Sequence, residues 1–183
     1  QMHGAPYTPA RVRRNQREYL ASLLPKLASI VEPYPGSHMV DVGGSTGLVG
    51  QAYAKTCDGV LTVIDTCAAE LAVAETAGHR TICATAETAE IEPGTADVVL
   101  LCRTIEHLCD PMGVLRRIRP WLSARGYLVV DAMDVDHWPK NARYKIDHPY
   151  AFTAKTLERM VTAAGWTVRG RFTRWNQMYT GLV

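Results

Sequence analysis

No apolar run in the chain is long enough to cross a bilayer. The longest, at residues 98–102 and 127–130, fall far short of the roughly 20 residues a spanning helix needs. No charged-then-apolar leader opens the sequence, so a soluble, cytoplasmic protein with no membrane partner is expected. Disulfide and zinc frameworks are also missing. The five cysteines (Cys57, Cys67, Cys83, Cys102 and Cys109) are odd in number and contain no C-x-x-C pair, so they read as reduced thiols. Charge of one sign is scarce: 20 basic against 18 acidic residues leave +2, too little for a bulk field that gathers nucleic acid. Internal repeats and low-complexity tracts are absent as well. What remains is 183 residues, 47% hydrophobic and 21% charged, the profile of one globular domain with an ample core.

Apart from a loose start rich in proline and glycine, the chain alternates. Residues 10–31 carry Tyr19, Leu20, Leu23, Leu24, Leu27 and Ile30 near a 3.6 period, which predicts a helix that Pro25 should kink or divide. Strands are predicted at residues 39–42, 60–64, 81–84, 97–101 and 127–130, with helical runs between them. Asp110-Pro111 reads as an N-cap followed by proline at the first helical position. The helix it opens should carry Val114, Leu115, Ile118 and Leu122 on one side. Thr153 can cap a last helix through Leu157, Met160, Val161 and Ala164, with Gly165 as its C-terminal stop. Residues 168–175 and 178–183 are candidate final strands. The expected class is α/β, a Rossmann-like, mostly parallel sheet flanked by helices.

The most informative segment is Val40-Asp41-Val42-Gly43-Gly44-Ser45-Thr46-Gly47: a strand ending in an acid, a glycine-rich turn, then a helix. Glycines there let backbone approach a ligand and adopt positive φ. A P-loop would need lysine directly after the last glycine, and none occurs before Lys55. A dinucleotide fingerprint starting at Gly43 would place Ser45 and Leu48 where its later glycines belong, a poor match. An NAD-dependent oxidoreductase is disfavoured on that ground.

The acid two residues before the first glycine, and Gly47 four residues after it, resemble motif I of the class I S-adenosylmethionine-dependent methyltransferases, with Ser45 in place of the central glycine. Asp65 ends the second strand, where that superfamily places an acid for the ribose hydroxyls. Thr85-Ala86-Glu87 follows its third-strand loop, with Thr85 where an adenine-binding Asp is common. Residues 102–111, including Glu106-His107-Leu108 and Asp110-Pro111, resemble the segment after its fourth strand, most closely in the small-molecule branch. The resemblance implies a seven-stranded sheet whose last strand is antiparallel. It also implies an N-terminal helical segment or cap at 1–37 and the methyltransferase domain at 38–183. It places S-adenosylmethionine, with S-adenosylhomocysteine as product, against Asp41, Gly43, Gly44, Gly47, Asp65, Thr85, Ala86, Glu87 and Cys102.

Methyl transfer asks the protein mainly to align a nucleophile and remove its proton. His107 and His148 are the candidate bases, because imidazole titrates near neutrality. Ubiquinone-pathway O-methyltransferases can hold a divalent metal on E-x-x-E-H in this loop. Here Arg103 stands at the first glutamate, so no metal is expected. The motif of methyltransferases acting on exocyclic amines of DNA bases, and the Pro-Cys of cytosine C5 enzymes, are both missing after the fourth strand. The acceptor is expected to be a small molecule methylated on oxygen or nitrogen. Residues 133–152, dense in Trp, Tyr, His, Asp and Lys/Arg, suit a hydroxylated acceptor such as a saccharide intermediate. The alternative is a non-catalytic S-adenosylmethionine-binding partner or sensor subunit.

Overall fold

The first strand sets the architecture. In β1 (His38–Val42) side chains alternate across the sheet: Val40 and Val42 join one buried cluster, Met39 the other. The same alternation runs through β2 (Val60–Asp65) and β4 (Ala96–Cys102), whose strands are buried almost end to end. A sheet apolar on both faces needs cover on both. The structure, a computed structural model, describes residues 9–137, 148–174 and 179–182.

One face is covered by α1 (Pro9–Ala28), α2 (Leu48–Ala54) and α3 (Ala68–Thr76), through Leu23, Leu27, Tyr53, Leu71 and Ala74. The other is covered by α4 (Pro111–Ile118) and α5 (Ala154–Ala163), through Val114, Leu115, Ile118, Leu157 and Val161. With β3 (Arg80–Cys83), β5 (Leu122–Met133), β6 (Arg171–Arg174) and β7 (Tyr179–Leu182), the strands lie in the order β3-β2-β1-β4-β5-β7-β6. The pairs from β3 to β5 are parallel. β7 runs antiparallel to both its neighbours. The chain is therefore an α/β protein of Rossmann-like architecture.

Several boundaries differ from those expected. Pro25 lies inside α1 without dividing it. It falls in the last turn, where the single backbone bond it forfeits is offset by the complete burial of Leu23 and Leu27. Leu122 does not extend α4. Pro120 interrupts the ladder, a single 3₁₀ turn follows at Arg119–Trp121, and Leu122 opens β5. Gly126 is then inside β5 rather than ahead of it. A bulge against β4 shifts the register between Ala96 and Val98, and a Cβ at Gly126 would come within 2.9 Å of the Ala96 carbonyl. Both predicted caps are present. Asp110 accepts from the Gly113 amide at 2.8 Å, and Thr153 and Thr156 form a reciprocal capping box. Gly165, at φ +92°, follows the end of α5.

At the amino ends of the strands, Asp97 gathers the Tyr34 hydroxyl, the His38 amide at 2.9 Å and the Ser123 hydroxyl at 2.7 Å. Burial raises its pKa, but these donors outweigh burial and hold it below the usual carboxylate range. No helix among the described residues is long and apolar enough to cross a membrane.

Candidate active site

The carboxyl ends of β1 to β4 open onto one cavity of about 420 Å³, within the range usual for cofactor sites. Each wall comes from the residues just past a strand end: Gly43 after β1, Asp65 and Thr66 at β2, Ala84–Glu87 after β3, and Arg103, Thr104 and His107 after β4. A parallel sheet sends every such turn to the same edge, which is why distant sequence segments meet there.

The glycine turn has two layers. Gly43, at φ +70°, faces the cavity, and a Cβ there would sit 2.5 Å from the Thr104 hydroxyl oxygen. Thr104 in turn donates to the Val42 carbonyl at 2.9 Å, tying the ends of β1 and β4 together. Gly44 and Gly47 lie beneath. Their Cβ positions would strike the Asp41 carboxyl at 2.7 Å and Val63 at 2.8 Å. Ser45, where motif I has glycine, still takes left-handed backbone at φ 55°, a conformation that costs an L-residue roughly 1–2 kcal/mol. Its amide donates to Asp65 Oδ2 at 2.8 Å, which holds the turn in that shape.

Asp41 does not line the cavity. It shares the face of β1 with Met39, is 2% exposed, and accepts from the Gly50 amide at 2.9 Å. Burial, opposed by that amide and reinforced by the charge of Asp65, pushes its pKa up to about 7. Its place is under the turn, where it secures the start of α2. Asp65 does reach the wall. Its other oxygen accepts from the Cys67 amide at 2.9 Å. A carboxylate offers about four acceptor positions, so ligand hydroxyls can still be bound.

Thr85, Ala86 and Glu87 line the cavity opposite. Glu87 is drawn across the mouth by the Cys109 amide at 3.0 Å. Burial pushes its carboxyl up, but backbone amides including those of Cys109 and Asp110 leave it below the ordinary value. Cys102 is not a wall residue. By strand parity it shares a face with Val98 and Leu100, and it packs with the cluster that α1 covers.

His107 stands on the cavity wall, and His148 meets it edge to face, ring centres 4.5 Å apart. The buried Glu106 lies between them and Arg103, whose Nε donates to Glu106 Oε1 at 3.2 Å. Ligand atoms of Glu106, His107 and His148 fall within 4.8 Å of one another. That grouping could not be read from the E-x-x-E-H spacing, because His148 arrives from 41 residues further along the chain. Arg103, at φ 62°, and Thr104 were also unassigned from the sequence, although their position directly after β4 is where wall residues belong. The polar groups Trp138, Lys140, Arg143, Tyr144, Lys145 and Asp147 lie outside the described residues. A second cavity of about 370 Å³, between the first half of β5 and residues 166–169, contains none of the glycine turn.

The fit to S-adenosylmethionine follows from this geometry. There is bare backbone at Gly43, a carboxylate with spare acceptor positions at Asp65, and an apolar floor at Ile64, Ala84 and Leu108. A methyltransferase domain family model matches residues 40–130, the stretch that contributes every one of these walls. Solved structures agree in fold. An S-adenosylmethionine-dependent methyltransferase from Aquifex aeolicus is 13% identical over 97% of each chain, with a TM-score of 0.74. One from Mesorhizobium loti is 14% identical over 86% of this chain and 94% of its own, TM-score 0.71. Phosphoethanolamine N-methyltransferase 2 of Haemonchus contortus, bound to S-adenosyl-L-methionine, is 21% identical over 78% of this chain and 36% of its own, TM-score 0.67. No curated protein matches in sequence. With motif I, the strand-end acid and the wall after β4 assembled around one cavity, the chain belongs to the class I S-adenosylmethionine-dependent methyltransferases.

Proposed function

We propose that the protein transfers the methyl group of S-adenosylmethionine to an oxygen or nitrogen of a small polar acceptor. The observation that carries this is the single cavity joining the glycine turn and Asp65 at one side to His107 at the other. The bound cofactor supplies an electrophilic methyl on a sulfonium. The chain has to hold it, present the acceptor in line, and take a proton where the acceptor carries one.

In this reading Gly43 and Asp65 touch the cofactor directly, with Thr85, Ala86 and Glu87 on the adenine side. Asp41, Gly44 and Gly47 act from beneath by fixing the turn, and Cys102 from behind β4. His107 and His148 are the proton acceptors. His107 stands on the wall and His148 packs edge to face against it, and Glu106 lies beside both. The small-molecule acceptor is consistent with +2 of net charge over 183 residues. A saccharide or similar polyol suits the polar and aromatic residues of segment 133–152. The N-terminal helical segment serves as a cap on the acceptor side; its Tyr19, in α1, donates to Asp131 near the end of β5 at 2.6 Å, which supports that role. The strand order supports the seven-stranded sheet of the class.

Calorimetric titration with S-adenosylmethionine, S-adenosylhomocysteine and NAD tests the reading first. One-to-one binding of the two sulfur compounds and none of NAD is expected. Transfer of labelled methyl to an acceptor panel then separates the enzyme from a binding subunit. Failure of both sulfur compounds to bind the folded protein would end the proposal.

A further inference from the structure

Glu106, His107 and His148 make a set of donors beyond the residues assigned above to the cofactor. Glu106 is 2% exposed. One of its oxygens serves Arg103, and the other, Oε2, is fully buried with no hydrogen-bond partner. A buried carboxylate oxygen left without a partner is costly and calls for an explanation. Beside it stand two imidazoles, His107 exposed and His148 half-buried, on separate segments.

The two segments are tied together. The Tyr150 hydroxyl donates to the Cys109 carbonyl at 3.2 Å, and the Tyr150 amide approaches the Glu106 carbonyl at 3.5 Å. Val135 donates to the Phe152 carbonyl at 2.9 Å, anchoring the far side of the same segment. The position of His148 beside Glu106 is thus held by the contacts of Tyr150 and Phe152, two and four residues beyond it.

We infer that Glu106, His107 and His148 form a binding site for a divalent transition-metal ion at the acceptor end of the cavity. Two nitrogens and one carboxylate oxygen favour an imidazole-preferring ion such as Zn²⁺ or Co²⁺ over Mg²⁺, which takes oxygen ligands. Bonds of about 2.0–2.1 Å require the donors to close from the 4.8 Å envelope they now span. Closure would come from rotation of the two imidazole rings, neither of which is buried. Arg103 need not leave. It stays on Oε1 while Oε2 faces the ion, so the guanidinium orients the carboxylate as outer partners of metal ligands do. Its positive charge opposes the ion, so affinity has to come mainly from the imidazoles.

Three protein ligands leave coordination positions open, and His107 is a wall of the cavity. The open side therefore faces the space where the proposed function puts the acceptor, and the functional consequence of this site rests on that reading. An ion there would bind an acceptor oxygen directly. The two imidazoles would then serve as ligands rather than as proton acceptors.

The test is titration of the metal-free full chain with Zn²⁺ by calorimetry and with Co²⁺ by visible absorption, for wild type, His148→Ala and Glu106→Gln. One-to-one binding is expected for wild type. Removing a ligand should weaken it at least about tenfold, the lower end of what loss of an outer partner alone costs. Intense Co²⁺ bands of low coordination number should appear in wild type and be lost in His148→Ala. If Glu106→Gln fails to fold, His148→Ala alone decides, because its side chain is half exposed. Absence of one-to-one binding by folded wild type, or equal binding by His148→Ala, overturns the site. Titration of the same samples with S-adenosylhomocysteine keeps the two proposals apart. Cofactor binding without Zn²⁺ binding refutes this site only, and loss of both refutes the proposed function as well.

Discussion

Two acids, Asp41 and Asp65, close successive strands at the same edge of the sheet, yet they do different work. The difference comes from what surrounds each carboxyl. Asp65 is partly exposed on the cavity wall and spends its oxygens on the amides of Ser45 and Cys67. Asp65→Ala is expected to weaken S-adenosylhomocysteine binding by about 1.5–3 kcal/mol, the range for hydrogen bonds to a charged group. Asp65→Asn, which keeps one acceptor for the turn, should lose less. Unchanged affinity in a folded Asp65→Ala would remove it from the site. Asp41 is buried, with a folded pKa of about 7 against an ordinary 3.8. Its folded pKa is raised, so its contribution to stability is greatest below the ordinary value and is lost as pH rises towards 7. A shift of about three units corresponds to roughly 4 kcal/mol, an upper bound for what ionisation costs the native state. Asp41→Asn keeps an acceptor for Gly50 and cannot ionise. Its stability relative to wild type, measured by urea unfolding, should therefore rise between pH 4 and pH 7 and then level off. A difference flat across that span would show that Asp41 is charged in the native protein.

At the level of elements, the short turn between β4 and α4 organises the acceptor side. Asp110 caps α4, Glu87 reaches across to the Cys109 amide, and Thr104 ties the β4 side to the Val42 carbonyl, so one loop is held from both ends. Asp110→Ala should cost about 1 kcal/mol of stability, as loss of an N-cap usually does, and leave cofactor affinity almost unchanged. Differential scanning calorimetry and cofactor titration on the same variant would check both parts. These caps were legible in the sequence because capping is local: Asp110-Pro111 and Thr153 announce themselves within four residues. The alternation of β1, β2 and β4 was equally plain. What the sequence concealed was non-local. Pro25 looked like a break because its burial partners are not its neighbours. Leu122 looked helical because it continues the spacing of α4, and only the Pro120 turn and pairing with Ala96 commit it to β5. Asp41 ends its strand as Asp65 does, and only its shared parity with Met39 tells that it lies under the turn and not on the wall. His148 could not have been placed beside Glu106 by any spacing rule.

The whole molecule is a sheet covered on both faces, with its chemistry gathered at one edge. Since the cavity is made from four separate strand ends, a ligand that fills it bridges parts joined otherwise only through the sheet. S-adenosylhomocysteine at about a hundred times its dissociation constant should add about 2.7 kcal/mol to stability. For a chain of this size the melting temperature should rise by roughly 5–10 °C. A thermal shift that fails to appear at saturating ligand would mean that the folded state has no such site. NAD at the same concentration should give none.

The exposed thiol of Cys109 has a practical consequence. It lines the cavity beside Leu108, and among the described residues Cys67 and Cys83 are the other exposed thiols. A small alkylating reagent therefore has an internal clock for occupancy. With ligand bound, the labelling rate at Cys109 should fall relative to that at Cys83, which lies outside the wall, and peptide mass spectrometry can follow both in one tube. The protein carries its own footprinting probe for any compound that enters the cavity, including acceptors whose turnover has yet to be seen.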